Sequence, residues 1–222
     1  MLTLHHLERS RSQRVLWLLE ELEIPYEIVR YQRNPKTLLA PPELAAIHPL
    51  GKSPVITDEG RTVAESGAIL EYLVERHGNG RLVPQPGTPE QLRYRYFMHY
   101  AEGSLMTPLL VKLLCDRVRS APLPFFVKPI ARRIADGVGG QFVEPNLRRH
   151  AAFLEAELAG RTWFAGDELT VADIQMSYPV EALLQRGREL AGERLRAFVE
   201  RVHARPAYQR ALDKGGEVFL AT

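Results

Sequence analysis

Apolar and polar positions change rhythm along this chain. In MLTLHHL, Leu2, Leu4 and Leu7 mark a short strand. In PYEIVRY, the set Tyr26, Ile28 and Arg30 alternates with Glu27, Val29 and Tyr31, the period of two that a pleated strand requires. Between them SQRVLWLLEEL carries Val15, Leu16, Leu18, Leu19 and Leu22 at helical spacing. PPELAAI reads as a brief helix that opens on prolines, which suit a first helical turn. PVIT and RTVA flank Asp58-Glu59-Gly60, a hairpin connection holding the glycine such loops favour. SGAILEYLVERHG is helical, with Gly78 placed as a left-handed stop. The predicted order is β-α-β-α-β-β-α, a compact α/β unit over residues 1–79.

From residue 80 to 87 the sequence GRLVPQPG is a linker by composition. A new helix then starts with three agreeing signals. Thr88 is an N-cap, Pro89 suits the first helical position, and Gln91 reaches back to close the box. Everything from 88 to 222 reads as helical. EQLRYRYFMHYAEGSLMTPLLVKLLCDRVRS is one long helix bent at Gly103 or Pro108, and APLPFFVKP breaks it. VEPNLRRHAAFLEAELAG, TVADIQMSYPVEALLQ and ERLRAFVERVHARPAYQRAL follow, without strand-like alternation or repeats. The second domain is therefore expected to be all α.

Composition narrows the function classes. A chain of 222 residues with 45% hydrophobic and 25% charged residues is ordinary globular material. A formal charge of +2 does not argue for nucleic acid or an anionic membrane. The grouped arginines (Arg9, Arg11 and Arg14; Arg132 and Arg133; Arg148 and Arg149) read as solvated helix faces. No apolar run has the length of a membrane span, and MLTLHHLERSRS holds no signal-like stretch. The single cysteine, Cys115, lies in an apolar helical run, reads as core and fits a reducing, cytoplasmic setting. The seven histidines have no metal-ligand spacing, and no phosphate-cradling G-x-x-x-x-G-K-[ST] loop is present.

The stretch GKSPVITDEGRTVAESGAIL, residues 51–70, poses the sharpest question. Pro54 stands at the entry of a strand, where it cannot donate to a ladder. A cis Ser53–Pro54 bond turns the chain there and shows the main chain of Ser53 to a ligand as a free edge, to which a peptide can add. About eleven residues on, a helix begins at Ser66, and its first turn offers free N–H groups and a positive dipole end to an anion. Edge and anion site together form a device for holding a small peptide. A plain N-cap role for Ser66 is compatible with that.

At these residues the sequence resembles the soluble glutathione S-transferases, in HPLGKSPVI, ESGAILEYL, FAGDELTVADI and RPAYQRAL, so the likeness spans both domains. Thr170 and Asp173 match the family's capping box, and His48 departs from the Asn that many members carry before PxGK. The resemblance implies an N-terminal thioredoxin-like domain, an all-α C-terminal domain, a homodimer and glutathione as co-substrate, without a metal. Carried over residue by residue, Ser53 would pair its backbone with the cysteinyl unit and Pro54 would fix that geometry. Glu65 and Ser66 would hold the γ-glutamyl end, and Lys52 would reach the glycine carboxylate. The activity implied is conjugation to a small apolar electrophile. Hydroperoxide reduction and a non-catalytic binding module are the alternatives.

Glutathione chemistry needs a thiolate, whereas a free thiol of pKa ~8.5 is mostly protonated at neutral pH. The family sets a hydroxyl donor in the loop after the first strand, here HHLERSRSQRVLW. In serine-type members the donor stands about four residues before an Arg of the first helix, which points to Ser10 ahead of Arg14. Ser10-x-x-Gln13 is also a helix-capping pattern. Ser12 and then His6 are the alternatives, and Arg11 adds positive potential. The absence of cysteine from 1–79 disfavours members that form a mixed disulfide. The electrophile is expected between the domains, near Tyr94, Met98, Tyr100 and Met106, with Phe219 and the segment 121–129 as further apolar candidates.

Overall fold

The computed structural model describes residues 1–219. Four strands form one sheet: β1 (Thr3–Leu7), β2 (Glu27–Tyr31), β3 (Val55–Asp58) and β4 (Arg61–Ala64). Their spatial order is β2-β1-β3-β4. β1 pairs parallel with β2, Thr3 opposite Glu27, and antiparallel with β3, Thr3 opposite Thr57. The β3–β4 hairpin turns on Glu59 and Gly60, both at positive φ. The crossover between the parallel strands is α1 (Ser12–Leu22), as a parallel pair requires. α2 (Glu43–Ile47) is short and buries only Leu44. α3 (Ser66–His77) closes a thioredoxin-like unit in the order the periodicity predicts.

Helices make up the rest: α4 (Pro89–Tyr100), α5 (Met106–Ser120), α6 (Lys128–Val138), α7 (Glu144–Glu157), α8 (Val171–Arg186), α9 (Glu193–His203) and α10 (Pro206–Gly215). α8 is buried nearly all round, with Val171, Ile174, Met176, Val180 and Leu183 fully enclosed. It packs against α1, α3, α4, α5 and α9, and α1 packs against β1, α8 and α10. A single hydrophobic cluster therefore runs from Leu4 and Ile56 in the sheet through Trp17 and Leu19 to Phe97, Phe164 and Phe198 among the helices. The N-cap at Thr88 forms as expected, its side chain accepting the Gln91 N–H at 3.3 Å.

One expectation needs correction, and two others gain detail. Gly78 has φ −77 and is not left-handed; Asn79 at φ 50 and Gly80 at φ 78 make that turn. Gly78 is instead demanded by space, since a Cβ there would stand 2.5 Å from the Val74 carbonyl oxygen. The bend expected at Gly103 or Pro108 is a π-helical turn around Gly103, Ala101–Leu105, between α4 and α5. Pro108, in the first turn of α5, lacks the N–H that an uninterrupted helix would use, and the widened turn precedes it. Finally, 128–138 is helical directly after the proline break. Its apolar residues Ile130 and Ile134, one turn apart, are 61% and 62% exposed.

Candidate active site

The edge at Pro54 forms as the sequence predicts. Ser53–Pro54 is cis. The β1–β3 register ends with His5 opposite Val55, leaving the main chain of Ser53 outside the ladder. Its hydroxyl takes over the pairing on that side, donating to the His5 carbonyl at 2.9 Å and accepting the Leu7 N–H at 3.2 Å. This role of Ser53 was not visible in the sequence, where it figured through its backbone alone. Upstream, Gly51 adopts φ +55, a conformation that favours glycine, and so turns Lys52 out beside Ser53. His48 closes the same loop, its carbonyl accepting from Gly51 N–H at 2.8 Å and its Nδ1 from Leu50 N–H at 3.4 Å.

Across the cleft, α3 starts in an unforeseen way. Glu65, at φ 72, occupies the N-cap position with an exposed side chain, and Ser66 is the first helical residue. Ser66 is therefore not the cap. Its hydroxyl accepts from Arg14 Nη2 at 3.0 Å. A cavity of about 300 Å³ is lined by Lys52, Ser53, Pro54, Glu65 and Ser66 from the α/β unit and by Glu102 and Leu110 from the helices. All five expected ligand-binding residues thus face one space.

Arg14 does not lie on a solvated face: its side chain is 1% exposed. It donates to Glu102 Oε1 at 2.5 Å and through Nη1 to the Gln175 carbonyl at 2.8 Å. Burial pushes its guanidinium below the ordinary value, and Glu102 opposes that shift. Arg11 is also engaged, with Nε 3.0 and 3.1 Å from the two oxygens of Glu102. Burial would raise the Glu102 carboxyl, but Arg14 and Arg11 hold it below the usual range. The guanidinium carbons of both arginines lie 5.4 Å from the ring centroid of Tyr178. Glu102 and Tyr178 are the residues that reading the sequence missed. They stand far along the chain, Glu102 in the π-helical turn and Tyr178 on α8, and nothing in their local pattern marks them.

The three candidate thiol donors lie side by side in one polar cluster. His6 Nε2 is 3.0 Å from the Gly215 carbonyl, which only accepts, so the proton sits on Nε2. Burial lowers the His6 pKa, favouring neutral imidazole, whose Nδ1 is then an acceptor. Ser12 Oγ, 2.8 Å from Nδ1, donates there. Ser10 Oγ donates to the Leu7 carbonyl at 2.8 Å and stands 2.8 Å from Ser12 Oγ. Ser12 is fully enclosed, and its proton is committed to His6. Ser10 lines a cavity of about 480 Å³ together with Leu7, Arg11, Arg33, Lys52 and Tyr178. The capping pattern read at Ser10 does not form, because α1 begins at Ser12 and both amide atoms of Gln13 lack partners.

The apolar electrophile candidates separate. Tyr94, Met98, Tyr100 and Met106 are buried in the core, and Tyr100 bonds His150. Phe219 lies against Tyr178, the ring centroids 4.8 Å apart and the planes tilted by 40°. Phe125 and Phe126 are exposed, away from the cavity linings just described. Cys115 is buried as expected. Among the described residues no helix is long and apolar enough to cross a membrane.

A thioredoxin-like sheet with a proline-edged cleft, covered by an all-α domain, defines a class of fold. Comparison with known proteins places the chain within it. The glutathione S-transferase N-terminal domain family matches residues 10–76, and the C-terminal domain family matches 141–206. Glutathione S-transferase 3 of Schizosaccharomyces pombe is 35% identical over 216 residues, covering 96% of this chain and 88% of that protein. Glutathione S-transferase 1 of Saccharomyces cerevisiae is 32% identical over 193 residues, 84% of this chain and 82% of that one. A crystal structure of a glutathione S-transferase from Actinobacillus pleuropneumoniae superposes with a TM-score of 0.77 at 30% identity, covering 97% of this chain and 93% of that one. The chain belongs to the glutathione S-transferase family.

Proposed function

We propose that this protein binds glutathione in the Pro54 cleft, stabilises its thiolate and presents it to an electrophile. The observation that carries the reading is the convergence of Lys52, Ser53, Pro54, Glu65 and Ser66 on one cavity. The main chain of Ser53 pairs with the cysteinyl unit as an added strand. The γ-glutamyl carboxylate meets the N-terminus of α3 and the Ser66 hydroxyl, and its ammonium meets Glu65. Lys52 takes the glycine carboxylate.

The thiol then lies near Ser10. To donate to sulfur, the Ser10 hydroxyl turns away from the Leu7 carbonyl, while Arg11 supplies positive potential from the cavity wall. Lowering the thiol pKa by about two units corresponds to about 2.7 kcal/mol of preference for the charged form, within reach of one charge-assisted hydrogen bond and one nearby cation. The rate gain comes from that ionisation and from holding the acceptor beside it. The thiol proton leaves to solvent before attack; the electron pair of sulfur then forms the new S–C bond while a leaving group departs with its bonding pair or, at an activated double bond, the π pair shifts onto the acceptor and takes up a proton from solvent.

The test is a glutathione titration with thiolate absorbance followed across pH. Saturable binding with the bound thiol titrating well below ~8.5 supports the proposal. A folded protein that does not bind glutathione refutes it.

A further inference from the structure

We propose that α6 and the loop leading into it dock on the surface of an anionic phospholipid bilayer and hold this protein there as a reversible, peripheral ligand of the membrane. The inference stands apart from the glutathione reading and concerns a different face of the molecule.

An amphipathic helix of a globular protein turns its apolar stripe to the core. α6 does the reverse. Its one buried residue is Ala135, while Ile130, Ile134 and Val138, each one turn after the last, are exposed. The loop before it carries Phe125 and Phe126, 85% and 65% exposed. Among the described residues these two rings contact no aromatic ring but each other, centroids 5.5 Å apart and planes perpendicular. α6 packs on α5 and runs on into the π-helical turn Gly139–Val143. Five large apolar side chains on one short arm mark a contact surface.

The charge on the same arm says what the contact is. Lys128, Arg132 and Arg133 are exposed. Among the described residues none of their side chains has a hydrogen bond or an ion pair. The one acid of α6, Asp136, is engaged by Arg119 at 2.7 Å, and Glu144 just beyond it by Arg148. At 3.6 residues per turn Arg133 borders the apolar stripe, and Lys128 and Arg132 stand within the same turns. The formal charge of +2 for the whole chain conceals this local concentration.

Apolar side chains beside unpaired cations match the two layers of a bilayer interface. The rings and aliphatic groups enter the acyl boundary, and the long cationic side chains reach anionic headgroups. A second copy on this face would set the same cations against each other, with no free carboxylate on α6 to answer them. Among the described residues no helix is long and apolar enough to cross a membrane, so the attachment lies in the interface. So short a stripe binds weakly alone, and the cations make lipid charge decisive.

Vesicle flotation tests this with the full-length protein and no substrate. Vesicles of phosphatidylcholine alone are compared with vesicles containing about one third phosphatidylglycerol, at low salt and at ~0.5 M salt. The expected result is flotation about ten-fold or more stronger on the anionic vesicles, with most of that advantage lost at high salt. Arg132→Gln/Arg133→Gln is expected to weaken anionic-vesicle binding about twenty-fold, at roughly five-fold for each cation near the surface. Phe125→Ser/Phe126→Ser is expected to weaken it about ten-fold or more, and both variants to melt with the parent, since the side chains changed are exposed. No flotation of the unsubstituted protein on anionic vesicles overturns the proposal. If the phenylalanine variant then also sediments as a smaller species than the parent, a second copy is what covers the face. Equal flotation on the two vesicles, or binding that survives both double substitutions, overturns the assignment to this arm. The lipid and salt comparison on the unsubstituted protein remains decisive where a variant does not fold.

Discussion

Arg14 and Glu102 form the bond that ties the cleft to the helical domain. One guanidinium nitrogen donates to Glu102 Oε1 at 2.5 Å and to Ser66 Oγ at 3.0 Å. A residue of α1 therefore sets both the helix terminus that lines the cavity and the π-helical turn that lines it from the other side. Arg14→Met removes the cation and leaves Ser66 and a partly buried Glu102 without their partner. Loss of one member of such a pair costs about 3 kcal/mol, a melting-point fall of roughly 6–12 °C at this chain length. Glutathione affinity falls with it, because Ser66 loses its orientation. A melting curve that superposes on the parent would remove Arg14 from this role.

The Ser10 assignment yields a graded expectation. Ser10→Ala raises the pKa of bound glutathione thiol by about one unit, the loss of one hydroxyl donor to a charged acceptor. Arg11→Gln raises it further, while glutathione affinity changes less than the pKa does. Ser12→Ala breaks the link to His6 and acts on stability. Thiolate absorbance across pH reads all three variants. A Ser10→Ala protein with an unshifted thiol would pass the donor role to Arg11.

Glu20 supplies a pH dependence with a definite sign. Its side chain is 8% exposed and accepts from Lys214 Nζ at 2.5 Å, Tyr26 OH at 2.6 Å and Arg210 Nε at 2.9 Å. Burial would raise its pKa, but Lys214, Tyr26 and Arg210 hold it below the ordinary 4.5. A depressed carboxylate binds its proton less tightly folded than unfolded. Its stabilisation is present above the unfolded value and disappears as pH falls through the folded one. Glu20→Gln is expected to melt several degrees below the parent at pH 7, and the two curves to approach each other between about pH 5 and 3. A gap of constant size across that range would contradict the assignment.

What the sequence made legible follows from where the information lies. Strand alternation at Ile28, the helical set Val15–Leu19, the proline at 54 and the Thr170-x-x-Asp173 pattern are local, and each appears in the fold as read. α6 lay inside the region read as helical, but its boundaries were not drawn, because APLPFFVKP was read as a break that in fact ends on the first helical residues Lys128 and Pro129. Gly78 was given the wrong reason, since a chain alone does not distinguish a need for positive φ from a need for space. Arg14, Glu102 and Tyr178 were lost for a different cause. Their meaning comes from each other, across 88 and 161 residues of separation to Glu102 and Gln175, and no window of sequence contains the pairing.

Asp173 is the most enclosed carboxylate in the helical domain that carries a structural load. Its two oxygens accept from Phe164 N–H at 2.8 Å, Thr170 N–H at 2.9 Å and Thr170 Oγ1 at 2.8 Å, and it is fully buried. These bonds anchor the loop at Phe164 to the start of α8, the helix against which α1, α3, α4 and α5 all pack. Asp173→Ala leaves three donors with no acceptor and no water-exposed route to one. At about 1–3 kcal/mol for each unsatisfied buried group, the loss approaches the whole stability of a typical domain. The expected outcome is a protein recovered largely unfolded or insoluble at 37 °C, and at lower temperature one with a melting point depressed by more than 10 °C. Asp173→Glu, which keeps the acceptor but adds a methylene to a filled site, is expected to fall between the two. Urea unfolding of the three proteins reads the order directly, and an alanine variant as stable as the parent would show that α8 does not depend on this cap.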